Sequence, residues 1–565
     1  MAKKIGVYVC ECGGNIAEKV DIEKVIAAVS PLKNVEVAER HKLLCSEGGR
    51  EFLKQSIAKH GLTHVVVAAC SPKQHEVTFM NVCKEASLNP QLFQLVNIRE
   101  QCAWVTPNGE EATDKAIRQT RAAISRVRYH SPLEKKETEC SPDVLVIGGG
   151  IAGIKASQLL AAPDRRVYLV EKTFSLGGKV KSFSKLFINM ESGLSLMEQE
   201  IKSLLGNENV EVLTESEVEQ ILGFLGNFEV KIVKKAENEE LNFNVGAVIL
   251  ATGFDLFNPK GLPQYGYGKL DDVYTSLEFE EMNIPDGPSG GKILLKNGKP
   301  PESVAIIHCV GRKEKDYCSK VCCLYSLKFD RMLKSQLPAV KVSHFYPDLC
   351  IPGKSFQKFY EDTKELGVEF VRSAKTEVAG NAKGTTIKYE TETGSKGDLV
   401  ADMVILIPAM ESSSDAQKFA EMLNIPQDEK GFFAEEHQLL APVASAVEGI
   451  FVIGCAGGPQ SISESIVQAE AAAGKILSAL VPGRKLELEV RTSEISEDFC
   501  TGCKTCIDVC PYGAITFNET RRISVVNEVL CHGCGSCAAA CPSGAAKLRH
   551  FTFSQIYQEL KEVVR

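Results

Sequence analysis

Cysteine is the residue type through which this sequence could do most of its chemistry, because 21 of its 565 residues are cysteines. Near the end of the chain, eight of them form two copies of the run Cys-x2-Cys-x2-Cys-x3-Cys-Pro: Cys500, Cys503, Cys506 and Cys510, then Cys531, Cys534, Cys537 and Cys541. Runs of this spacing hold two [4Fe–4S] clusters, and the fourth cysteine of each run ligates the cluster of the other. The spacing predicts one cluster on Cys500, Cys503, Cys506 and Cys541, and a second on Cys531, Cys534, Cys537 and Cys510.

The repeated run is the pattern of bacterial two-cluster ferredoxins and predicts an α+β module of that kind over residues 491–550. Apolar residues at helical spacing follow it and predict a C-terminal helix within residues 551–565. Zinc knuckles space their cysteines in pairs, so the run argues against zinc at this end of the chain.

A glycine pattern earlier in the chain indicates a nucleotide site. An apolar run over residues 143–147 leads into Gly148, Gly150 and Gly153, and after a helical segment a second apolar run ends at Glu171, followed by Lys172. In a dinucleotide fold, the glycines permit a tight turn and the approach of a pyrophosphate to the helix N-terminus. The acidic residue accepts hydrogen bonds from the ribose hydroxyls. Strand, glycines, helix, strand and acid together predict a bound dinucleotide.

Three further segments are expected to line the same cofactor, namely Gly177 with Gly178, Thr252 with Gly253, and Gly454 with Cys455. An Ala-Thr-Gly run at the end of a strand is typical of flavoproteins that contain two dinucleotide folds. This resemblance to flavoproteins implies FAD as the cofactor and a thioredoxin-reductase-like core of two such folds over residues 143–490.

The second of these folds carries cysteines where its glycines are expected. An apolar run over residues 303–308 is followed by Cys309, Cys318, Cys322 and Cys323. Thiolates suit an iron–sulfur cluster and do not bind a pyrophosphate, so a [4Fe–4S] site within residues 309–323 is predicted to replace the NAD(P)H site. Zinc is the alternative occupant. Arg312, Lys313 and Lys315 would neutralise a reduced cluster or belong to a solvated charged loop. Lys328 would set the flavin potential or be a surface lysine.

Residues 1–130 read as alternating strands and helices, which predicts a parallel α/β sheet. Ligands gather at the carboxyl ends of such strands, and we expect a further [4Fe–4S] cluster there on Cys10, Cys12, Cys45 and Cys70. Cys102 is the substitute ligand, and Cys83 is expected to be structural. The alternative is that these cysteines are scattered and pack as small apolar side chains. Residues 131–142 are polar, contain two prolines and predict a linker.

Charge and hydropathy exclude several other classes of protein. The net charge of −8 argues against a general nucleic-acid binder. No run of about 18 apolar residues predicts a membrane span, and the first apolar run is too short for a signal peptide, so we expect a cytoplasmic protein. In such a chain many cysteines indicate redox centres in an anaerobic setting rather than disulfides.

Several segments together resemble one family. VCECGGNI, VVVAACSPKQHE and NIREQCAW in the N-terminal region, CVG…YCSKVCC in the middle, FVIGCAGGPQ and the ferredoxin module resemble the A subunit of heterodisulfide reductase over nearly the whole chain. The resemblance implies a [4Fe–4S] cluster on the set Cys309, Cys318, Cys322 and Cys323. It also implies that Lys328 lies at the flavin N5. With the other sites, the expected cofactors are one FAD and four [4Fe–4S] clusters.

The resemblance also implies an oxidoreductase that performs flavin-based electron bifurcation or confurcation. Its expected partners are ferredoxin, heterodisulfide reductase B- and C-like or other reductase subunits, and a hydride- or hydrogenase-linked input subunit, around a homodimer. The alternative is a relay subunit that only passes electrons on, and the missing second glycine pattern argues against a self-contained NAD(P)H reductase. Two departures stand out: residues 179–240 lack the cysteine-containing insert of methanogen members, and Cys350 has no assigned role.

Overall fold

The computed structural model describes residues 3–235, 237, 239–381 and 384–564. The chain divides into two units, one formed by Met1–Thr138 with Glu487–Arg565 and the other by Glu139–Leu486. The N-terminal domain and the cysteine-rich C-terminal module thus belong to the same unit. In the described residues, no helix is long and apolar enough to cross a membrane.

The N-terminal domain is built on a parallel sheet. Its strands lie in the order Val35–His41, Ile5–Cys10, His64–Ala69 and Phe93–Asn97. Its helices span Ile22–Val29, Glu47–His60, Pro72–Glu85 and Gly109–Val127. Every residue of the two central strands is buried, as expected for apolar runs that helices cover on both faces. Parallel strands alternating with helices confirm the α/β class predicted for this region.

The C-terminal module consists of two short antiparallel strand pairs and two short helices. The pairs are Ser493–Ile495 with Ala546–Leu548 and Ile515–Asn518 with Ile523–Val526, and the helices are Thr505–Asp508 and Ser536–Ala540. A last helix, Phe553–Val563, lies on the N-terminal domain's helix Gly109–Val127. Arg126 Nη1 donates to Glu559 Oε2 over 2.7 Å between these two helices. The two ends of the chain are therefore joined within one unit.

The second unit begins with a dinucleotide fold. Its parallel strands lie in the order Ile450–Val452, Ala247–Leu250, Val144–Ile147, Val167–Val170 and Val210–Leu213. The helices of this fold span Ile151–Leu160, Gly193–Leu205 and Ile462–Ala479. An antiparallel sheet of Ser216–Phe224, Asn227–Lys234 and Glu239–Val245 belongs to the same fold.

A second dinucleotide fold lies between strands Ala247–Leu250 and Ile450–Val452 of the first. Its sheet has the strand order Val273–Thr275, Met403–Pro408, Ser303–Val310, Lys341–Tyr346, Glu369–Asn381, Gly384–Thr391 and Lys396–Ala401. Its helices are Ser276–Met282, Arg312–Lys315, Cys322–Gln336 and Phe356–Glu365, whereas helix Ala416–Leu423 packs in the core of the first fold. Strands Phe254–Leu256 and Met410–Ser412 pair where the chain passes between the two folds. Two dinucleotide folds in one unit confirm the predicted core architecture.

Candidate functional site

The start of helix Ile151–Leu160 has the features of a pyrophosphate cradle. Gly148 has a φ of 110°, and a Cβ on it would lie 2.3 Å from the carbonyl oxygen of Ala251. A Cβ on Gly153 would lie 2.0 Å from the carbonyl oxygen of Gly148, whereas one on Gly150 would meet nothing within 4 Å. Two of the glycines are thus required by the packing of the protein itself, while Gly150 borders open space beside unpaired helix N–H groups. The residues present fit a dinucleotide.

Glu171 lies against this cradle. Its carboxylate is 8% exposed and accepts hydrogen bonds from the N–H of Gly149 over 2.8 Å and from the N–H of Thr173 over 2.8 Å. The carboxylate is therefore held in place before any ribose binds. Lys172 is directed elsewhere, since its Nζ forms an ion pair with Asp415 Oδ2.

Two of the other predicted turns also border open space or the cradle. A Cβ on Gly178 would lie 3.1 Å from the Cα of the middle fingerprint glycine, and Gly177 before it has a φ of 113°. Gly253 has a φ of 74°, and a Cβ there would meet nothing within 4 Å. The hydroxyl of Thr252 accepts a hydrogen bond from Ser413 Oγ over 3.3 Å.

Gly454 and Cys455 reach the same helix from strand Ile450–Val452. A Cβ on Gly454 would lie 3.0 Å from the Cβ of Ala152, in the first turn of helix Ile151–Leu160. The Cys455 thiol donates to the carbonyl oxygen of Gln460 over 3.5 Å, and burial raises the pKa of Cys455 to about 11. Cys455 is therefore a protonated, half-buried thiol at neutral pH.

In the second dinucleotide fold, the four predicted cysteines converge at the carboxyl end of strand Ser303–Val310. The Cys322 thiol donates to Cys323, which raises the pKa of Cys322 and lowers that of Cys323, and Cys309 and Cys318 raise the pKa of Cys322 further. Arg312 Nη1 lies 3.7 Å from Cys309 Sγ and donates to it. A group of thiols with a cation beside it fits a [4Fe–4S] cluster by the chemistry of its donors.

A buried polar chain that the sequence did not indicate leads to this cysteine group. His308 Nε2 and His344 Nδ1 are 2.8 Å apart, and His344 Nε2 and Asp330 Oδ1 are 2.8 Å apart. A carboxylate only accepts, so with neutral rings His344 donates to Asp330 and accepts from His308. These hydrogen bonds fix the ring of His308 beside Cys323. Burial lowers the pKa of His308, and the hydrogen bond with Cys323 opposes that shift. In the sequence, the one sign of this hydrogen-bonded chain of side chains is that His308 directly precedes Cys309.

Lys328 is buried in the middle of helix Cys322–Gln336 and is only 2% exposed. Its Nζ forms an ion pair with Glu280, which is 3% exposed, and donates to the carbonyl oxygen of Lys185. Its Nζ also lies 5.0 Å from the ring centre of Phe183. Burial lowers the pKa of Lys328 and raises that of Glu280, and each charge opposes the shift of the other. Glu280 is a residue that no local sequence pattern indicated.

The N-terminal sheet brings Cys10, Cys12, Cys45 and Cys70 together at its carboxyl edge. The N–H of Cys12 donates to Cys10 Sγ over 3.3 Å, and after burial Cys12 and Cys45 raise the pKa of Cys10. Burial raises the pKa of Cys70 to about 11, and Cys12 adds to that shift. Arg99 Nη1 donates to Cys12 Sγ over 3.2 Å. The four thiols and their guanidinium partner suit a cluster site.

Cys102 and Cys83 lie in the apolar core of the same domain. Cys102 is fully buried and donates to Gln119 Oε1 over 3.4 Å, and burial raises its pKa to about 11. Cys83 is 1% exposed within helix Pro72–Glu85, and burial raises its pKa to about 12. Neither side chain joins the four cysteines at the carboxyl edge of the sheet.

In the C-terminal module, a small cavity is lined by the sulfur-bearing residues Cys500, Cys503, Cys506 and Cys541. The second set is also assembled across the repeat: burial raises the pKa of Cys537, and its neighbours Cys531 and Cys510 add to that shift. Cys534 is exposed. The structure thus brings Cys541 of the second run beside Cys500, Cys503 and Cys506 of the first, and Cys510 of the first run near Cys537.

Backbone N–H groups point at several of these sulfurs. Those of Ala514, Ser493 and Ala546 donate to Cys510 Sγ, Cys531 Sγ and Cys541 Sγ over 3.3, 3.3 and 3.4 Å. Such hydrogen bonds stabilise thiolate ligands and set cluster potentials. In the part of the chain that the structure describes, no group of three or more His, Cys, Asp or Glu side chains is placed to hold a single metal ion.

Two families match parts of the chain. Residues 142–307 match the family described as pyridine nucleotide-disulphide oxidoreductase, and residues 499–545 match the 4Fe-4S dicluster domain. The first match ends directly before the cysteine-containing stretch of the second dinucleotide fold. A solved thioredoxin reductase from Lactococcus lactis is 18% identical with a TM-score of 0.43, and the alignment covers 60% of this chain and 99% of that one.

Several relatives match over almost the full length. One of the CoB–CoM heterodisulfide reductase iron-sulfur A subunits of Methanopyrus kandleri, the one numbered 2, is 34% identical over 91% of this chain and 91% of its own. The corresponding iron-sulfur protein of Methanocaldococcus jannaschii is 35% identical over 92% of each chain. In Methanothermobacter marburgensis, the A subunit of the H(2):CoB-CoM heterodisulfide,ferredoxin reductase is 34% identical over 91% of each. With its FAD-type and 4Fe–4S domains, the chain is an oxidoreductase, and it belongs to the family of heterodisulfide reductase A subunits.

Proposed function

We propose that this protein is the FAD- and iron–sulfur-containing electron-transfer subunit of a heterodisulfide-reductase-like complex, and that it performs flavin-based electron bifurcation or confurcation. The observation that carries the proposal is helix Cys322–Gln336, which begins with two cysteines of the thiol group and carries the buried ammonium of Lys328. A fixed positive charge and a thiol group on one rigid element suit a site in which electrons leave a flavin in one defined direction.

FAD would be held by the cradle at helix Ile151–Leu160, with Glu171 on its ribose. When bound, it supplies a carrier that accepts two electrons together and releases them singly. The protein's own contribution would be the Lys328 ammonium, which Glu280 and the carbonyl oxygen of Lys185 hold in place and which would donate a hydrogen bond to the flavin N5. Buried as it is, that ammonium is shielded from water and acts over a longer distance than a surface charge.

Four [4Fe–4S] clusters are proposed, one for each set of four cysteines. The thiolates of Cys309, Cys318, Cys322 and Cys323 would hold the cluster next to the flavin, and those of Cys10, Cys12, Cys45 and Cys70 the N-terminal one. The two remaining clusters belong to the C-terminal module. Iron analysis of the anaerobically purified chain should give about 16 iron atoms per chain, and a value of about 8 would leave only the C-terminal pair.

The partners are proposed from the names of the relatives, which mention H2, ferredoxin and the CoB–CoM heterodisulfide. A hydride- or hydrogenase-linked subunit would deliver electrons, and ferredoxin and B- and C-like reductase subunits would receive them. The protein is proposed to act as a homodimer in the cytoplasm.

The test of bifurcation is a spectroelectrochemical titration of the flavin in the purified chain. Bifurcation requires the second one-electron reduction to occur at a higher potential than the first, so that a half-reduced flavin does not accumulate. If the first one-electron reduction instead occurs at the higher potential and a half-reduced flavin is stable, the protein is a relay subunit.

A further inference from the structure

A fifth cysteine, Cys350, lies with the thiol group of the second dinucleotide fold. It follows strand Lys341–Tyr346, which pairs in parallel with strand Ser303–Val310, so both strands end at the same edge of the sheet. The backbone N–H of Cys350 donates to Cys323 Sγ over 3.5 Å. Its thiol lies within hydrogen-bonding reach of the thiol of Cys318. Cys350 therefore contacts the group at two of its members.

The segment that carries Cys350 is anchored to the same group at a second point. Asp348 Oδ1 accepts a hydrogen bond from Arg312 Nη1 over 2.6 Å. The same Nη1 also donates to Cys309 Sγ over 3.7 Å. The segment is thus fixed on the Cys309 side by Asp348 and on the Cys323 side by the N–H of Cys350.

Cys318 differs from the other three members of the group in its backbone setting. Cys309 lies in strand Ser303–Val310, and Cys322 and Cys323 begin helix Cys322–Gln336, but Cys318 lies in neither a strand nor a helix. Cys322 and Cys323 are 5% and 2% exposed, whereas Cys318 is half-buried. Of the four, Cys318 is the one whose sulfur can move with least disturbance of regular structure.

We propose that Cys350 is an exchangeable ligand that can replace Cys318 at one iron of the cluster. The proposal rests on the function proposed above, because it assumes a [4Fe–4S] cluster at this group. In the exchange, the Fe–S bond to Cys318 breaks, the Fe–S bond to Cys350 forms, and the proton of the Cys350 thiol passes to Cys318. No electron is transferred, so either of two ligand sets can hold the cluster at the same oxidation state.

The first test is the iron content of the full chain, purified anaerobically, in alanine variants that cannot ligate iron. Cys318→Ala and Cys350→Ala should each retain the iron of the wild type, whereas the double variant should lose about four iron atoms per chain. Cys140, which lies in the segment 131–142 and belongs to none of the four cysteine sets, provides the matched control: Cys318→Ala combined with Cys140→Ala should lose none. The exchange is refuted if Cys318→Ala alone loses about four iron atoms, or if the Cys318/Cys350 double variant keeps them.

Cys322→Ala separates this proposal from the cluster assignment itself. If Cys322→Ala loses about four iron atoms and Cys318→Ala does so as well, the cluster is present and only the exchange is wrong. If Cys322→Ala loses none, the cluster assignment fails and the exchange with it. The EPR spectrum of the reduced C-terminal clusters and the flavin content report in each variant whether the rest of the chain is folded.

A second measurement uses the wild-type protein and does not depend on a variant that folds. Brief anaerobic alkylation of the native, cluster-containing chain with iodoacetamide, followed by peptide mapping, identifies the thiol that is free. Exchange predicts label on both Cys318 and Cys350 while Cys322 and Cys323 stay protected. Label confined to Cys350 would overturn the proposal, because Cys318 would then be a permanent ligand.

Discussion

Lys328 and Glu280 form a buried ion pair, and removing one or the other should shift the flavin potential in opposite directions. Both side chains are almost fully buried, at 2% and 3% exposure, and the ammonium also donates to the carbonyl oxygen of Lys185. An isolated ammonium would raise the flavin potential by stabilising the reduced, anionic flavin. The structure shows that Glu280 partly cancels that charge, so removing the carboxylate should strengthen the effect that removing the lysine abolishes.

The expected size follows from Coulomb's law. At an effective dielectric constant of about 20, an ammonium about 4 Å from the reduced flavin contributes about 4 kcal/mol, and a carboxylate about 7 Å away opposes it by about 2 kcal/mol. The intact pair therefore stabilises the reduced flavin by about 2 kcal/mol. At about 59 mV for each 1.4 kcal/mol, this raises the flavin potential by about 80 mV. Lys328→Met removes the charge that opposes the burial-raised pKa of Glu280, which favours uptake of a proton by that carboxyl. With both groups of the pair uncharged, the potential should fall by about 80 mV. In Glu280→Gln the unopposed ammonium should raise it by about 80 mV.

The assay is spectroelectrochemical titration of the flavin in both variants, in the double variant and in Lys334→Met, a control on the same helix. The double variant should match Lys328→Met. Burial lowers the pKa of Lys328, and without Glu280 the ammonium loses its proton as the pH rises through that lowered pKa. The increase in Glu280→Gln should therefore be present at low pH and disappear as the pH rises through the lowered pKa of Lys328. Shifts of the same sign in both single variants at the low-pH end, or no shift, would refute this account.

Three other predictions concern binding and ligation. Glu171→Ala should weaken FAD retention on gel filtration, because losing a charged hydrogen-bond partner costs about 1.5–3 kcal/mol; unchanged occupancy would contradict the site. Gly150→Ala should leave the thermal stability of the flavin-free chain unchanged but abolish FAD binding. Gly153→Ala should instead destabilise the flavin-free chain by about 1–3 kcal/mol through overpacking. Equal stabilities of the two flavin-free variants would refute this distinction. Cys45→Ala should lose about four iron atoms and Cys102→Ala none, and the reverse result would exchange the two cysteines as ligands.

The sequence contains enough information for the fold class because its signals are local and mutually consistent. The apolar runs around Val144–Ile147 and His64–Ala69 are short, uninterrupted and followed by glycine or cysteine turns, which is typical of buried parallel strands. The glycine spacing after Val144–Ile147 could be interpreted for a physical reason: Gly148 and Gly153 lie so close to backbone atoms that no side chain fits. Spacing alone also predicted that each cysteine run of the C-terminal module supplies one thiol to the other set.

The partners of the functional residues could not be predicted in this way. Glu280 and His344 lie on elements other than the cysteine-bearing helix Cys322–Gln336, and a single sequence does not show which side chains meet across a sheet. Cys350 falls in a segment without a motif, and only the parallel pairing of strands Ser303–Val310 and Lys341–Tyr346 brings it to the thiol group.

Helix Cys322–Gln336 explains how the two halves of the proposed chemistry are kept apart and yet coupled. Cys323 and Lys328 are five positions apart, so they are separated by about 7.5 Å along the helix axis and by about 140° around it. The first side chain meets His308 and the N–H of Cys350, and the second meets Glu280 and the carbonyl oxygen of Lys185. A rigid helix therefore fixes the distance between the thiol group and the ammonium. Since electron transfer depends steeply on distance while electrostatic effects decay slowly, a change in the Lys328–Glu280 pair can alter the flavin potential without moving the cluster.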